Sequence, residues 1–183
     1  MPIAKEKRLN INYYKLLPEG APYQLIEGEL VMTPSPNTRH QIISANIFEK
    51  IRHFTKDSGI CLYSPIDVYL DDENAFQPDM VFIFNERREI IKKDGIYGPP
   101  DFIIEILSPS TASFDLREKF RVYERSGVKE YWIVDPELDS IEIYSNEGNH
   151  LSLIKKAEKE GEVESLLLKG LKISLKDIFS QIY

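Results

Sequence analysis

Two acidic residues, Asp79 and Glu105, lie in strongly apolar surroundings where a lone charge is costly. Glu105 is inside the run FIIEIL (102–107), which is typical of a strand buried on both faces. Asp79 follows Pro78 and opens a second apolar run, MVFIF (80–84). Because a buried carboxylate is unfavourable without a positive charge beside it, the two residues require a cationic partner.

The chemistry that fits such a pair is the binding of a divalent cation. If the two apolar runs are adjacent strands, Asp79 and Glu105 lie at the same edge of a sheet. Carboxylates a few ångströms apart repel each other unless a cation lies between them. Mg²⁺ takes oxygen ligands, commonly one or two carboxylates with waters and a substrate phosphate. The pair therefore predicts a site for Mg²⁺, or for Mn²⁺ in its place, beside a phosphate.

Hydrolysis of a phosphodiester also needs a group that places the attacking water and offsets the charge on phosphorus. Lys119 and Tyr123 are one turn apart on a helix predicted over Asp115–Ser126, so they share a face. The segment 115–129 has five basic and three acidic residues, although the chain as a whole has a formal net charge of −7. We therefore identify this segment as a candidate phosphate-facing patch. Its basic residues are Arg117, Lys119, Arg121, Arg125 and Lys129.

The elements that must position these residues can be predicted from hydrophobic periodicity and turn residues. Asp115 with Glu118 resembles a capping box that starts the helix carrying Lys119. A helical stripe predicts an earlier helix over 37–56, capped by Asn37 or Thr38. The first predicted strand region is 23–36, ended by Pro34 and Pro36, with Gly28 either at a tight turn between two short strands or at a bulge. The other predicted strands are 61–70, 80–84, 100–107, 130–134 and 140–146. A polar connection with room for one helical turn spans 85–98, a charged stretch spans 155–164, and one strand and a short helix are predicted at the end. This order predicts an α/β fold with a mixed central sheet flanked by helices.

Composition limits the class of protein. With 183 residues, the chain is predicted to form one domain, with an arm over 1–22, a core over 23–136 and a C-terminal hairpin and tail over 137–183. No apolar window is long enough for a membrane helix and the first residues do not resemble a secretory signal, so we expect a cytoplasmic protein with no membrane partner. The single cysteine, Cys61, excludes an internal disulfide. The negative net charge argues against a protein that coats nucleic acid through a basic face.

Several motifs together resemble the Uma2 family (DUF820) of restriction-endonuclease-like proteins, in the PD-(D/E)xK nuclease superfamily. They are GELVMTPSPNTRH, FQPDMVFI, PPDFIIEILSPST, the pattern D-x-x-x-K-x-x-x-Y and GVKEYWIVDP, from about Tyr23 to Pro136, with GLKISLKDIF near the end. The resemblance implies a restriction-endonuclease-like core of αβββαβ order, with an N-terminal β-hairpin and extra C-terminal strands. It also implies a Mg²⁺-dependent endonuclease that hydrolyses DNA with a metal-activated water and acts as a homodimer.

The resemblance assigns the metal site and the catalytic lysine. It implies that Asp79, Glu105 and Ile106 bind the metal ion. The superfamily places a lysine two positions after the second acidic residue, but here that position is Leu107. In Uma2-like sequences the lysine lies on the next helix, which makes Lys119 the catalytic lysine.

Glu29 and His40 also match positions typical of the family. Glu29, or Glu27, would complete the metal site, and His40 would contact phosphate or transfer a proton. Glu27 and Glu29 are two residues apart in a strand-like stretch and are expected to point the same way, with at least one facing solvent. A capping or surface role for His40 is equally compatible with its place near a helix start.

Two other functions remain open from the sequence. The first is a catalytically inactive nuclease-fold domain that binds nucleic acid or a protein partner, favoured by Leu107 and by the acidic net charge. The second is a glycosidase that uses Asp79 and Glu105 as an acid/base pair, although no aromatic sugar platform is evident beside them.

Overall fold

The computed structural model describes residues 8–108 and 115–180. The predicted acidic pair lies on a six-stranded sheet, called the central sheet below. Its strands, in spatial order, are β12 (Leu151–Glu158), β11 (Ser140–Asn146), β10 (Glu130–Asp135), β9 (Phe102–Ile106), β6 (Met80–Phe84) and β3 (Gly59–Tyr63).

A second six-stranded sheet is built from shorter strands. Its strands, in spatial order, are β2 (Glu29–Met32), β1 (Tyr23–Ile26), β5 (Asn74–Phe76), β4 (Val68–Asp71), β8 (Gly95–Tyr97) and β7 (Ile91–Lys92). Two further strands pair with each other, β13 (Glu162–Glu164) and β14 (Lys172–Ser174).

Helices complete the described part of the chain. They are α1 (Ile11–Tyr14), α2 (Thr38–Thr55), α3 (Phe120–Ser126) and α4 (Leu175–Phe179), with a 3₁₀ segment over Asn85–Ile90 and a π-helical turn over Asp115–Lys119 that leads into α3. None of the described helices is long and apolar enough to cross a membrane.

Helices and the second sheet cover the two faces of the central sheet. Ile43, Ile47 and Ile51 recur at helical spacing along α2 and pack, fully buried, against one face. On the opposite face, Val122 and Tyr123 of α3 pack together with residues of the second sheet. Burying one such side chain contributes about 1.5–3 kcal/mol, so these contacts hold α2 and α3 firmly in place.

The central strand β9 is buried along its whole length, as its apolar sequence predicts. Ile104 and Ile106 belong to the core beneath α2, whereas Ile103 belongs to the core beneath α3. Since side chains alternate along a strand, Glu105 lies on the same face as Ile103, toward α3. The helix predicted to supply the lysine is therefore the helix that Glu105 faces.

The predicted fold class is confirmed. Strand β9 pairs antiparallel with β6 and parallel with β10, so the central sheet is mixed. The expected N-terminal hairpin is the β1–β2 pair, and extra strands follow the core at the C-terminal end. Gly127 ends α3 in the left-handed conformation with φ of +84°, as its position after the helix predicts.

Three local predictions are wrong. The stretch 61–70 is not one strand: β3 ends at Tyr63 and β4 begins in the other sheet, because Pro65 has no amide hydrogen with which to continue the ladder. The connection 85–98 has the helical turn that the sequence allowed, as the 3₁₀ segment, but it also contains an unpredicted hairpin of two short strands, β7 and β8. The charged stretch 155–164 is largely strand, since β12 is at an edge of the central sheet, where charged side chains are tolerated.

Asp101 ties the start of β9 to its neighbours. Its carboxylate is fully buried and accepts hydrogen bonds from Arg87 at 2.9 Å and from the Phe84 amide at 3.0 Å, and Lys129 Nζ lies 2.7 Å away. Burial alone would raise the pKa of this carboxyl, but Lys129, the Phe84 amide and Arg87 together hold the pKa below its ordinary value. The ionised form of Asp101 is therefore part of the folded state.

We expect Asp101→Asn to lower the free energy of unfolding by about 1–3 kcal/mol at pH 7, because charge-assisted hydrogen bonds to a buried group are lost. A lowered carboxyl pKa stabilises the fold above the unfolded-state value and ceases to do so as pH falls through the folded value. The difference between wild type and variant should therefore shrink below about pH 4. Urea denaturation from pH 7 to pH 3.5 measures both effects, with the exposed Asp72→Asn as the matched control. An equal loss at both ends of this range would contradict the ionic role.

Candidate functional site

The pairing of β6 with β9 brings Asp79 and Glu105 side by side. Val81 is the register partner of Ile103 in this antiparallel pair. Extending the register by two residues places Asp79 opposite Glu105, on the same face of the sheet. Directly opposed residues have Cβ atoms about 5 Å apart. The two carboxylates predicted from the sequence therefore share one end of the central sheet.

Glu105 is held by two donors from the neighbouring helical segment. Lys119 Nζ donates to Glu105 Oε1 at 3.0 Å, and the Tyr123 hydroxyl donates to the same oxygen at 2.6 Å. Both Glu105 and Lys119 are only 3% exposed, so this is a buried ion pair. Lys119 ends the π-helical turn and Tyr123 lies one turn later in α3, which directs both side chains to the same carboxylate.

Asp79 is held by the backbone of β9 and by α2. The Ile106 amide donates to Asp79 Oδ2 at 2.7 Å. His40 Nε2 lies 3.3 Å from Asp79 Oδ1 and 3.1 Å from the Ile106 carbonyl oxygen. Because both neighbours are acceptors, we assign the hydrogen of the His40 ring to Nε2. Asp79, Ile106 and His40 thus form a closed hydrogen-bonded ring.

The first turn of α2 positions His40. Asn37 caps the helix, and its side chain accepts a hydrogen bond from the His40 amide at 2.8 Å. The His40 side chain is buried rather than on the surface. Burial alone would lower its pKa, but the hydrogen bond and charge of Asp79, together with the Ile106 carbonyl and the charge of Glu105, raise the pKa above its ordinary value. Among the described residues, no hydrogen-bond partner reaches the buried Nδ1 atom of His40.

A cavity of about 490 Å³ opens over this end of the sheet. Five of the six residues predicted from the sequence line it: His40, Asp79, Glu105, Ile106 and Lys119. The residues that carry the carboxylates, the main-chain carbonyl and the ammonium group therefore border one partly open cavity. A cavity of this size can take a small ligand or one nucleotide-sized part of a larger one.

Glu29 and Glu27 do not line this cavity. Glu27 has a positive φ of 49° at the β1–β2 turn, so it does not share a strand face with Glu29, and the expectation that both point the same way is wrong. Its carboxylate lies 2.6 Å from Arg125 in an ion pair. Glu29 is exposed at the start of β2. The structure thus does not bring these residues to the acidic pair.

Of the predicted phosphate-facing patch, Lys119 is the residue that lines the cavity. Arg121 and Arg125 lie close to carboxylates outside it, and Lys129 pairs with the buried Asp101. The positive charge that the segment shows in the sequence is therefore distributed around the helix rather than gathered on one face.

The site also contains residues that the sequence did not identify as functional. Tyr123 holds Glu105 directly, and its spacing of four residues from Lys119 was the available signal. Gln41, Ser44 and Tyr63 line the cavity. Gln41 and Ser44 follow His40 on the same side of α2, whereas Tyr63 comes from β3 and carries no local signal.

The donor atoms fit a divalent cation that favours oxygen. The described residues contain no cluster of three or more His, Cys, Asp or Glu side chains arranged to hold a metal ion. The predicted set instead combines two carboxylates with the Ile106 main-chain carbonyl, and Mg²⁺ commonly takes only one or two carboxylates from protein. Two of these three ligand residues, Asp79 and Ile106, now accept the His40 N–H, so a cation held there competes with His40 for the same oxygens.

Comparisons with known proteins agree with this fold. A curated relative, "Uncharacterized protein sll1609" from Synechocystis sp., is 24% identical over 150 residues, which cover 80% of this chain and 85% of the relative. A crystal structure titled as "a putative nuclease belonging to DUF820" from Anabaena variabilis superposes with a TM-score of 0.78 at 21% identity. The superposition covers 94% of this chain and 98% of that chain, which shows a shared fold.

The family comparison covers most of the chain. The model of the Uma2 family, described as "Putative restriction endonuclease", matches residues 12–176. That range contains both sheets and all the residues of the cavity described above. The chain therefore belongs to the Uma2 family.

Proposed function

We propose that this protein is a divalent-metal-dependent endonuclease that hydrolyses DNA phosphodiester bonds. The observation that carries the proposal is the convergence of Asp79, Glu105 and Lys119 on one cavity. Two carboxylates beside a lysine form the constellation that binds a cation and a phosphate together. The family described above is named for this kind of activity.

In this proposal the chain's own groups arrange the reactants. Asp79, Glu105 and the Ile106 carbonyl would hold the cation, Mg²⁺ or Mn²⁺. When bound, such a cation lowers the pKa of a water molecule and offsets negative charge on the phosphate. Tyr123 and Lys119 fix the Glu105 carboxylate through two hydrogen bonds, so its orientation does not have to be established when substrate binds.

In the superfamily, a lysine two positions after the second acidic residue supplies a positive charge to the site. In this proposal Lys119 supplies that charge. Leu107 occupies that position and packs with the core beneath α3. Lys119 lines the same cavity from the helical segment instead. It donates to Glu105 and places a fixed charge where the negative charge of the transition state develops.

His40 is placed to exchange a proton at Nε2. This atom contacts both Asp79 and the Ile106 carbonyl, at the mouth of the predicted metal site. An imidazole in that place can hold a phosphate oxygen or deliver a proton to the leaving oxygen. Cutting both strands of a duplex needs two such sites, so the proposal includes a homodimer.

One observation favours the catalytically inactive alternative. Each carboxylate of the pair already accepts hydrogen bonds from protein donors, Asp79 from Ile106 and Glu105 from Lys119 and Tyr123. Such satisfied groups are stable without a metal ion. A nuclease-fold domain that binds a partner without cutting would retain this arrangement as a structural ion pair.

Cleavage of supercoiled plasmid separates the two functions. We expect nicked and linear products with Mg²⁺ or Mn²⁺ and intact plasmid with EDTA, because the charge on the phosphate must be offset by the cation. Asp72→Asn, purified in the same way, is the control for contaminating nuclease and should match wild type. Plasmid and single-stranded DNA that both stay intact with both metals, together with calorimetric evidence that the metal binds, would establish the non-cutting function.

A further inference from the structure

Tyr63 is an exposed aromatic residue that lines the cavity of the candidate site. It ends β3 and is the register partner of Met80, the residue next to Asp79. The amide of the following residue, Ser64, donates to the Asp79 carbonyl at 3.0 Å. The backbone that carries Tyr63 is therefore joined directly to the backbone that carries the acidic pair. The residue is nevertheless 60% exposed, and it lines the cavity.

The ring of Tyr63 is held in place by one contact from α2. Phe48 packs against it in an edge-to-face arrangement, with ring centroids 4.7 Å apart and an interplanar angle of 69°. This contact limits rotation of the ring while leaving most of its surface uncovered. An aromatic ring that is fixed and uncovered can stack on another ring at little entropic cost.

The walls of the cavity suit a base better than a length of duplex backbone. Besides the polar residues described above, the lining includes four prolines with apolar side chains, Pro22, Pro34, Pro36 and Pro65. Lys119 is the one lysine or arginine among the described lining residues, and the chain carries a net charge of −7. Tracking along a phosphate backbone relies on many such cations. Affinity must therefore come largely from apolar and stacking contacts.

We propose that Tyr63 is a stacking platform for an unpaired base adjacent to the scissile phosphate, so that the site acts on single-stranded or locally unpaired DNA. In an intact duplex both faces of a base are covered by its neighbours, whereas an unpaired base offers a free face to an aromatic side chain. The cavity volume of about 490 Å³ is in the range for one small ligand, which fits a single nucleotide. This inference rests on the proposed function, because it assumes that the phosphate lies over Asp79 and Glu105.

Binding with Ca²⁺ as a non-catalytic substitute for Mg²⁺ tests the platform separately from catalysis. We propose to measure fluorescence anisotropy with a labelled single-stranded oligonucleotide and with its duplex. Tyr63→Ala should weaken binding of the single strand by about 5- to 150-fold, the range for loss of one stacked base. Tyr63→Phe keeps the aromatic ring, which is the stacking surface, so its affinity for the single strand should be within about 2-fold of that of wild type. Tyr13→Ala removes another exposed tyrosine, one outside the cavity lining, and should have no effect.

A spectroscopic readout distinguishes stacking from a structural role. A 2-aminopurine base in the single strand should be quenched on binding to wild type and to Tyr63→Phe, but not on binding to Tyr63→Ala. The inference is overturned if Tyr63→Ala binds the single strand as tightly as wild type, or if wild type binds no single strand or prefers the duplex. If binding follows the prediction while plasmid and single-stranded DNA both stay intact with Mg²⁺ and with Mn²⁺, the platform stands and the proposed catalytic function fails.

Discussion

Asp79→Asn is expected to reduce DNA cleavage by at least about 10²–10³-fold while leaving the protein folded. Asparagine retains an oxygen that can accept the Ile106 amide hydrogen, so the local hydrogen bond persists. It removes the negative charge, however, and with it one of the two carboxylates proposed to hold the cation. Asp79 is the more accessible member of the pair, with 17% of its side chain exposed, so the cost to stability should be small.

Two measurements on the same preparations check this prediction. Calorimetric titration with Mg²⁺ or Mn²⁺ should show weaker binding to the variant, because one charged ligand is lost. Thermal unfolding should show that the variant melts close to wild type. The matched control is Asp72→Asn, an exposed carboxylate outside the cavity. Unchanged metal affinity and unchanged cleavage in Asp79→Asn would show that the proposed site is misplaced.

The acidic pair could be predicted from sequence because its signal is local. Glu105 interrupts a run of apolar residues, and Asp79 opens another such run, so each residue alone indicates an unusual environment. The pairing of the two strands then follows from the order of elements. Lys119 has a weaker local signal, which consists of a locally basic helix and of Tyr123 one turn later. The resemblance to a family was needed to assign it the catalytic role.

Other features depend on contacts that no local pattern encodes. The second sheet consists of strands of two to four residues, some of which pair across long stretches of chain, as β1 does with β5. Hydrophobic periodicity does not resolve strands so short. Glu27 and Glu29 were expected to share a face because the turn at Gly28, with its positive φ of 79°, could not be distinguished from a bulge. Tyr63 becomes functional only through the cavity to which the fold brings it.

Lys119→Met is expected to lower the free energy of unfolding by about 3–5 kcal/mol, because Glu105 is left as a buried charge without its ammonium partner. Lys119 and Glu105 are both 3% exposed, so water cannot readily replace the lost interaction. Cleavage should fall by about 10²–10³-fold, the usual effect of removing one charge that stabilises the transition state. Urea denaturation and plasmid cleavage measure the two losses. Arg121→Met is the control: its ion pair with Glu118 is exposed and 3.9 Å long, so little should change.

The double variant Lys119→Met with Glu105→Gln separates the structural role of the pair from its catalytic role. Replacing both members of a buried ion pair by neutral groups of similar size is often nearly neutral for stability. Glutamine can still accept the Tyr123 hydroxyl hydrogen, so most of the stability lost in Lys119→Met should return. Cleavage should not return, because the carboxylate and the ammonium group are both absent. A double variant that regains both stability and cleavage would show that the pair serves only the fold, whereas one that regains stability alone assigns both charges to catalysis.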